Sequence, residues 1–336
     1  MIQCSSEAIQ SKRKQYGPVR AIAKYLHASH MQRFGIANTM QIAKSINRLR
    51  FKRQETYRRD QFRDRFDDLI TDNGGVVGEI GALQDGWCLD TSMSNPRLQS
   101  LLDQSREIIE KFGRIRNTSP GAYRSFFQNI LPDHEVPAYP AVLDFALSSE
   151  VLFVVSSYLK CIPALSRCHP EGIRLAESFA DFDDQPDTLR DSQLYHIDYY
   201  SRPNVYVIVA LEEITEECGP FRFLPASVSR KAAGQLKYWS RKKPYRLSDE
   251  ELYDVVDPDD VITFSGRPGS ILFIDPSTCF HYGSRNSVQP RYQLMLGYTT
   301  AVRTDLSEEY LRNRVYSARP GDSRLARMVL DRRYLP

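Results

Sequence analysis

Leu194-Tyr195-His196-Ile197-Asp198-Tyr199, with Val205-Tyr206-Val207-Ile208-Val209-Ala210-Leu211 close behind it, is the stretch from which the fold can be read. The second run is β-branched and aromatic without polar interruption, the composition of a strand buried on both faces. The first reads as strand over 192–199, so His196 and Asp198, two residues apart, share one face. An imidazole and a carboxylate fixed side by side are two of the three ligands of a non-haem iron site. They are equally the partners of a hydrogen bond on a surface strand.

Working outward, Ile173 to Phe179 alternates apolar and polar residues as a half-buried strand does. Strand texture returns at 261–264, 270–275 and 291–300, with an insertion at 230–260 in which Ser248 and Glu251 form a capping box. The N-terminal half is helical in pattern. A helix over 18–34 would turn Ile22, Leu26 and Phe34 inward, and the next, capped by Asn38 or Thr39, would turn Ile42, Ile46 and Leu49 inward and Lys44, Arg48 and Lys52 outward. Phe62, Phe66 and Leu69-Ile70 mark a further amphipathic piece, ended by Asn73-Gly74-Gly75, and 76–80 reads as a strand. Asn95-Pro96 opens a helix whose stripe runs from Leu98 to Phe112 and which Gly113 ends; another spans 140–160, and polar helix is expected from Ser307. Helices followed by short strands and Gly/Pro turns define an α+β protein with a β-barrel or sandwich core.

The chain has 336 residues, 41% hydrophobic and 26% charged, as in a water-soluble globular protein. Its six cysteines form no CxxC pair, which excludes a zinc ribbon or disulfide framework and favours a reducing compartment. There is no apolar run of roughly 18 residues. Lys12-Arg13-Lys14 lacks the apolar stretch of a secretory signal, so a cytoplasmic location is expected. Residues 1–70 hold 15 Lys and Arg against 6 Asp and Glu, a net of +9 in a chain of +3. Such a segment attracts nucleic acid, anionic lipid or an anionic substrate, or is simply the solvated face of its helices.

His281 lies in Cys279-Phe280-His281-Tyr282-Gly283-Ser284, about eighty residues beyond Asp198, and could be a packed core histidine or a third ligand. Arg291, ten residues later, opens a strand on which it shares a face with Gln293, Met295 and Gly297. Inside a barrel its guanidinium needs an anion, and its planar fork suits a carboxylate.

The stretch from about 140 to 300 resembles the phytanoyl-CoA dioxygenase family of iron(II)/2-oxoglutarate oxygenases. The likeness rests on Ser192 to Asp198, on Thr215 to Ser227, and on Gly269 to Asp275 with His281 to Asn286 and Arg291. Ala226 and Val228 stand where the family usually has Gly and His. The resemblance implies a double-stranded β-helix, a jelly-roll with the N-terminal helical half packed on it. It implies iron bound by His196, Asp198 and His281, 2-oxoglutarate held by Arg291 with help from Ser284 and Gln193, and hydroxylation of a small molecule with release of succinate and CO2. Relatives that halogenate lack the carboxylate that Asp198 supplies, which favours hydroxylation. The expected division is a basic helical extension over 1–70 and one oxygenase domain over 71–336, its barrel about 165–303. Arg202, Arg222 and tyrosines 195, 199, 200 and 206 would line a pocket for an acidic or partly apolar substrate. Two other readings keep part of this: a cupin-like binding protein without turnover, and a nucleic-acid-associated oxygenase using the basic N-terminus.

Overall fold

The side-chain alternation of one strand explains the layering. In β5 (Asn204–Ala210) every residue is buried. Val205, Val207 and Val209 belong to one apolar cluster while Tyr206, Ile208 and Ala210 belong to another. Successive side chains leave a strand on opposite sides, so a run with no polar residue marks a strand covered on both. The structure is a computed structural model describing residues 18–75, 82–113, 126–166, 172–179, 189–240, 245–306 and 316–336, with side chains from residue 34 onward.

The chain combines helices with two antiparallel sheets. The larger contains β1 (Trp87–Asp90), β2 (Phe127–Asn129), β3 (Ala164–Leu165), β4 (Ile173–Ser178), β5, β8 (Ile271–Ile274) and β10 (Arg291–Thr299). Its order is β1-β8-β5-β10-β4-β2, with β3 also on β10. The smaller is β7-β6-β9, from Ile262–Phe264, Phe221–Phe223 and His281–Tyr282. Tyr206, Ile208, Leu272 and Ile274 of the larger sheet pack against Phe221, Phe223 and Phe264 of the smaller. This makes a two-layer core between facing sheets. The strand expected to be half-buried, β4, is almost wholly buried, because its polar face looks into this interior rather than at solvent.

The other face of the large sheet is covered by helices. These are α1 (Pro18–Asp72), α2 (Leu98–Phe112), α3 (Pro140–Ala146), α4 (Ser149–Leu159) and α7 (Arg324–Leu330). On the far side of the small sheet, Ala232 and Ala233 of α5 (Ala226–Gln235) and Leu252 of α6 (Asp249–Tyr253) cluster with Leu224, Tyr238, Leu247, Tyr195 and Phe280. The Ser248–Glu251 capping box forms as expected. Among the described residues no single helix is long and apolar enough to cross a membrane. The bent pair α3–α4 meets that test jointly, but its apolar side chains are core.

Several expectations change. The α1 segment is continuous apart from breaks at Gly35 and Phe51, so Asn38 and Thr39 lie within it and bond back to the carbonyls of Phe34 and Gly35 instead of capping. Its buried face is Ile36, Met40, Ala43, Asn47 and Phe51, whereas Phe34, Ile42, Ile46 and Leu49, all expected inward, are exposed. The helix is turned because the Asn47 amide donates to the carbonyls of Arg303 and Asp305, fixing a polar residue inward. Lower down, Phe66, Leu69 and Ile70 do enter the main core. Arg58 is fully buried, its guanidinium donating to carbonyls of Ile162, Pro163, Met328 and Asp331. The 140–160 helix is broken at Leu147–Ser148. Gly113 ends α2 with an ordinary right-handed φ; it is there for closeness, since a Cβ would sit 2.7 Å from the Ile109 carbonyl oxygen. The C-terminal helix α7 is apolar and buried rather than polar. The strand expected at 76–80 and the start of helix at 307 fall outside the described residues. Cys88, Cys161, Cys218 and Cys279 are free thiols.

Candidate metal centre

His281 opens β9, whose partner β6 fixes it opposite Phe223. The segment expected as a strand over 192–199 is one only in part. Asp191–Gln193 forms a 3-10 turn, and regular pairing is confined to bridges of Tyr195 with Leu247 and of His196 with His281. That second bridge is the decisive one. The backbones of His196 and His281 exchange both N–H···O bonds, at 3.1 and 3.0 Å, so the two imidazoles leave adjacent strands side by side. Asp198 is then positioned by its own N–H, which donates to the Pro276 carbonyl at 2.8 Å.

The three residues meet. Their ligating atoms lie within 4.8 Å of one another, His196 Nε2 is 3.7 Å from Asp198 Oδ1, and all three side chains are buried. Each imidazole is tied through Nδ1 to a backbone carbonyl, His196 to Leu194 at 2.8 Å and His281 to Cys279 at 3.0 Å. A carbonyl only accepts, so both Nδ1 atoms carry the proton and both Nε2 lone pairs are left for a metal. Burial pushes the His281 imidazole below its ordinary pKa, keeping it in the neutral, ligating form. Tyr206, on β5, donates its hydroxyl to Asp198 Oδ2 at 2.7 Å, leaving Oδ1 toward the histidines. Phe221 stacks on His281 with centroids 5.3 Å apart. Two imidazoles and one carboxylate on one side of an ion leave its other positions open, the arrangement suited to iron(II) with a chelating cosubstrate.

Arg291, at the start of β10, lines the same chamber and is 2% exposed. It donates to the Gly219 carbonyl, and its second terminal nitrogen lies 3.2 Å from Ser284 Oγ. Its Nε, also buried, has no hydrogen-bond partner, and desolvation lowers the guanidinium pKa to about 10. A buried cation with a donor unspent is the feature an anionic ligand would satisfy. Gly219 itself must be glycine for a different contact: its φ is +59°, and a Cβ there would lie 2.5 Å from the Arg285 carbonyl oxygen. Ser284 lines the chamber in a left-handed conformation and also bonds Ser178. Gln193 does not line it; its amide donates to the Ser284 carbonyl at 2.8 Å, so it supports Ser284 from behind.

The rest of the expected pocket is rearranged. Tyr200 and Tyr206 face the chamber, whereas Tyr195 packs against Tyr282 and Tyr253. Tyr199 stacks beside Tyr200 and Tyr245. Arg222 is turned to Glu216, and Arg202 lies over Trp239 in a separate groove. In their place the chamber has Arg174 from β4 and Arg246, the latter paired with Asp191. The cavity volume of the chamber is about 70 Å3. Arg174 was missed because its placement depends on long-range pairing. It faces the same way as Ala176 and Ser178, in register with Met295, Gln293 and Arg291 of β10.

No family model and no curated protein matches this sequence. Solved structures with a similar backbone include EvdO2 from Micromonospora carbonacea var. aurantiaca complexed with 2-oxoglutarate (18% identity, 76% of this chain and 99% of that one, TM-score 0.40). Another is EctD from S. alaskensis with 2-oxoglutarate and 5-hydroxyectoine (14%, 72% and 83%, TM-score 0.45). A third is SnoN, a non-haem α-ketoglutarate-dependent epimerase from nogalamycin biosynthesis (14%, 77% and 93%, TM-score 0.39). None of these three exceeds 18% identity or a TM-score of 0.45, so the function is read from this chain's own residues.

Proposed function

We propose that the protein is an iron(II)/2-oxoglutarate-dependent oxygenase of the phytanoyl-CoA dioxygenase type, hydroxylating a small molecule in the cytoplasm. The observation that carries this is the joint placement of two donor sets in one chamber. The His196–Asp198–His281 cluster suits the metal, and the buried, incompletely bonded Arg291 suits the far carboxylate of the cosubstrate. In this reading the two facing sheets are the halves of a double-stranded β-helix, built over about 165–303 within a domain of 71–336 that carries the basic helical segment 1–70.

When bound, iron(II) would activate O2, the oxidant, with 2-oxoglutarate giving up two electrons as it is decarboxylated to succinate and CO2 and the substrate giving up the other two as it is hydroxylated. The chain's part is positioning. His196 and His281 present Nε2 because Leu194 and Cys279 hold their Nδ1 protons. Asp198 is aimed by Tyr206, and Arg291 with Ser284 sets the depth of the cosubstrate. Phe221 and Met295 give the chamber apolar walls that limit water around the reacting centre. Arg174 and Arg246 at the wall favour a substrate bearing an acidic group.

Anaerobic titration tests the reading. Wild-type protein is expected to bind one iron(II) and then 2-oxoglutarate, with a weak visible charge-transfer band. Asp198→Ala should lose metal, and Arg291→Lys should weaken 2-oxoglutarate while sparing metal. Absence of 2-oxoglutarate binding to metal-loaded wild type would sink the proposal; metal binding alone would favour the non-catalytic cupin-like alternative.

A further inference from the structure

The rotation of α1 leaves an unusual surface. Among the described residues seven large apolar side chains are exposed, and four of them, Phe34, Ile42, Ile46 and Leu49, lie within sixteen residues of this one helix. Scattered exposed apolar residues are ordinary. Ile42, Ile46 and Leu49 are instead spaced i, i+4, i+7, which makes them a continuous row, and Leu49 is 82% exposed at its end. Lys44, Arg48 and Lys52 form a separate stripe at i, i+4, i+8, turned toward the body of the protein, where with Leu49 and Arg202 they line a groove of about 560 Å3. Arg50 and Arg53 fall one turn beyond Ile46 and Leu49. From Phe34 to Gln54 the sequence has five cations and no carboxylate. Glu55, the first acidic residue after them, is engaged by Arg59 and by the Ala301 N–H.

We propose that this face of α1 docks the protein on an anionic lipid surface. The aliphatic row enters the boundary between headgroups and acyl chains, and the flanking cations meet the negative headgroups. Charge complementarity selects this occupant over the others. A second copy of the chain would bring five cations against five. Residues 1–17 are themselves basic, with Lys12, Arg13 and Lys14 against Glu7. A single-stranded nucleic acid would use the cations, but it stacks on successive aromatic rings, and of the four exposed apolar side chains only Phe34 is aromatic. The proposal is independent of the chemistry in the barrel, since none of these residues lines the metal chamber.

The test is co-sedimentation of the full-length protein with vesicles of phosphatidylcholine alone and with phosphatidylserine added at about one part in four, at low and high salt. Binding is expected only to the serine-containing vesicles, and to weaken with salt. Arg50→Gln and Arg53→Gln should each reduce partitioning about fivefold, the worth of one cation near an anionic leaflet. Leu49→Glu and Ile46→Glu should reduce it by roughly tenfold or more, and the uncharged Leu49→Ser severalfold, all with wild-type circular dichroism because the positions are exposed. No binding by wild type, or equal binding by wild type and Leu49→Ser, overturns the proposal. So does self-association that Leu49→Glu abolishes, which would give the face to a second copy. Tighter binding of a single-stranded oligonucleotide than of the vesicles would overturn it as well.

Discussion

Replacing Tyr206 by Phe removes one oxygen and leaves the ring, so it isolates what the phenol does for Asp198. The hydroxyl donates to Oδ2 over 2.7 Å, with Tyr206 4% and Asp198 6% exposed. A buried hydrogen bond to a charged acceptor contributes roughly 1.5–3 kcal/mol, and its loss should appear in full in the metal-free protein, where nothing else replaces that donor. The metal-loaded protein loses less, because an ion on Oδ1 already compensates part of the charge. What it loses is aim, and partners of this kind typically account for about 10–100-fold in metal affinity. The lower end, near tenfold or about 1.4 kcal/mol, is expected, since Asp198 keeps its backbone anchor to Pro276. Anaerobic calorimetric titration with iron(II), or with cobalt(II) as an air-stable substitute, measures the affinity, and urea unfolding of the metal-free protein measures the stability. A variant less stable by the expected amount but with unchanged metal affinity would refute the reasoning. It would mean that Tyr206 and Asp198 are a structural pair and that the carboxylate is not a ligand.

Two further expectations concern the scaffold. Arg58→Met should destabilise the protein by at least about 3 kcal/mol, because it leaves the carbonyls of Ile162, Pro163, Met328 and Asp331 without their buried donor; a change under roughly 1 kcal/mol in chemical denaturation would show that water takes its place. Burial raises the thiol pKa of Cys161 and of Cys279 to about 12, so both should stay unmodified by iodoacetamide near pH 8 in native protein and react once it is unfolded. Mass spectrometry should find half-buried Cys88 labelled ahead of them, although its own thiol is also raised; early labelling of Cys279 would mean that the wall behind His281 opens.

What could be read in advance depended on how local the determinant was. His196 and Asp198 are placed by two-residue periodicity, which survives even though the surrounding strand shrinks to a pair of bridges and a turn at Asp191. Arg291 was legible for the same reason, as its face is set by the alternation of β10. Long-range pairing was not legible. Nothing in the run from Ile173 to Ser178 says that Arg174 will stand opposite Met295 inside a closed interior rather than on a wet face. The orientation of α1 failed for a related cause. Its apolar periodicity offers two competing rows, Ile42–Ile46–Leu49 and Ile36–Met40–Ala43, and hydrophobicity alone prefers the first. Two carbonyls more than 250 residues away, those of Arg303 and Asp305, decide for the second by binding Asn47. A buried amide left unsatisfied costs roughly 1–3 kcal/mol, comparable to what one more buried aliphatic side chain contributes. One asparagine is therefore enough to tip a helix between faces of similar apolarity. The consequence is testable: Asn47→Asp, which keeps the shape but cannot donate, should remove the bias, and solvent protection measured by hydrogen exchange and cysteine scanning at positions 42 and 46 should rise. If 42 and 46 stay as accessible as in wild type, the orientation is set by the Ile36–Met40–Tyr245 contacts and not by the amide.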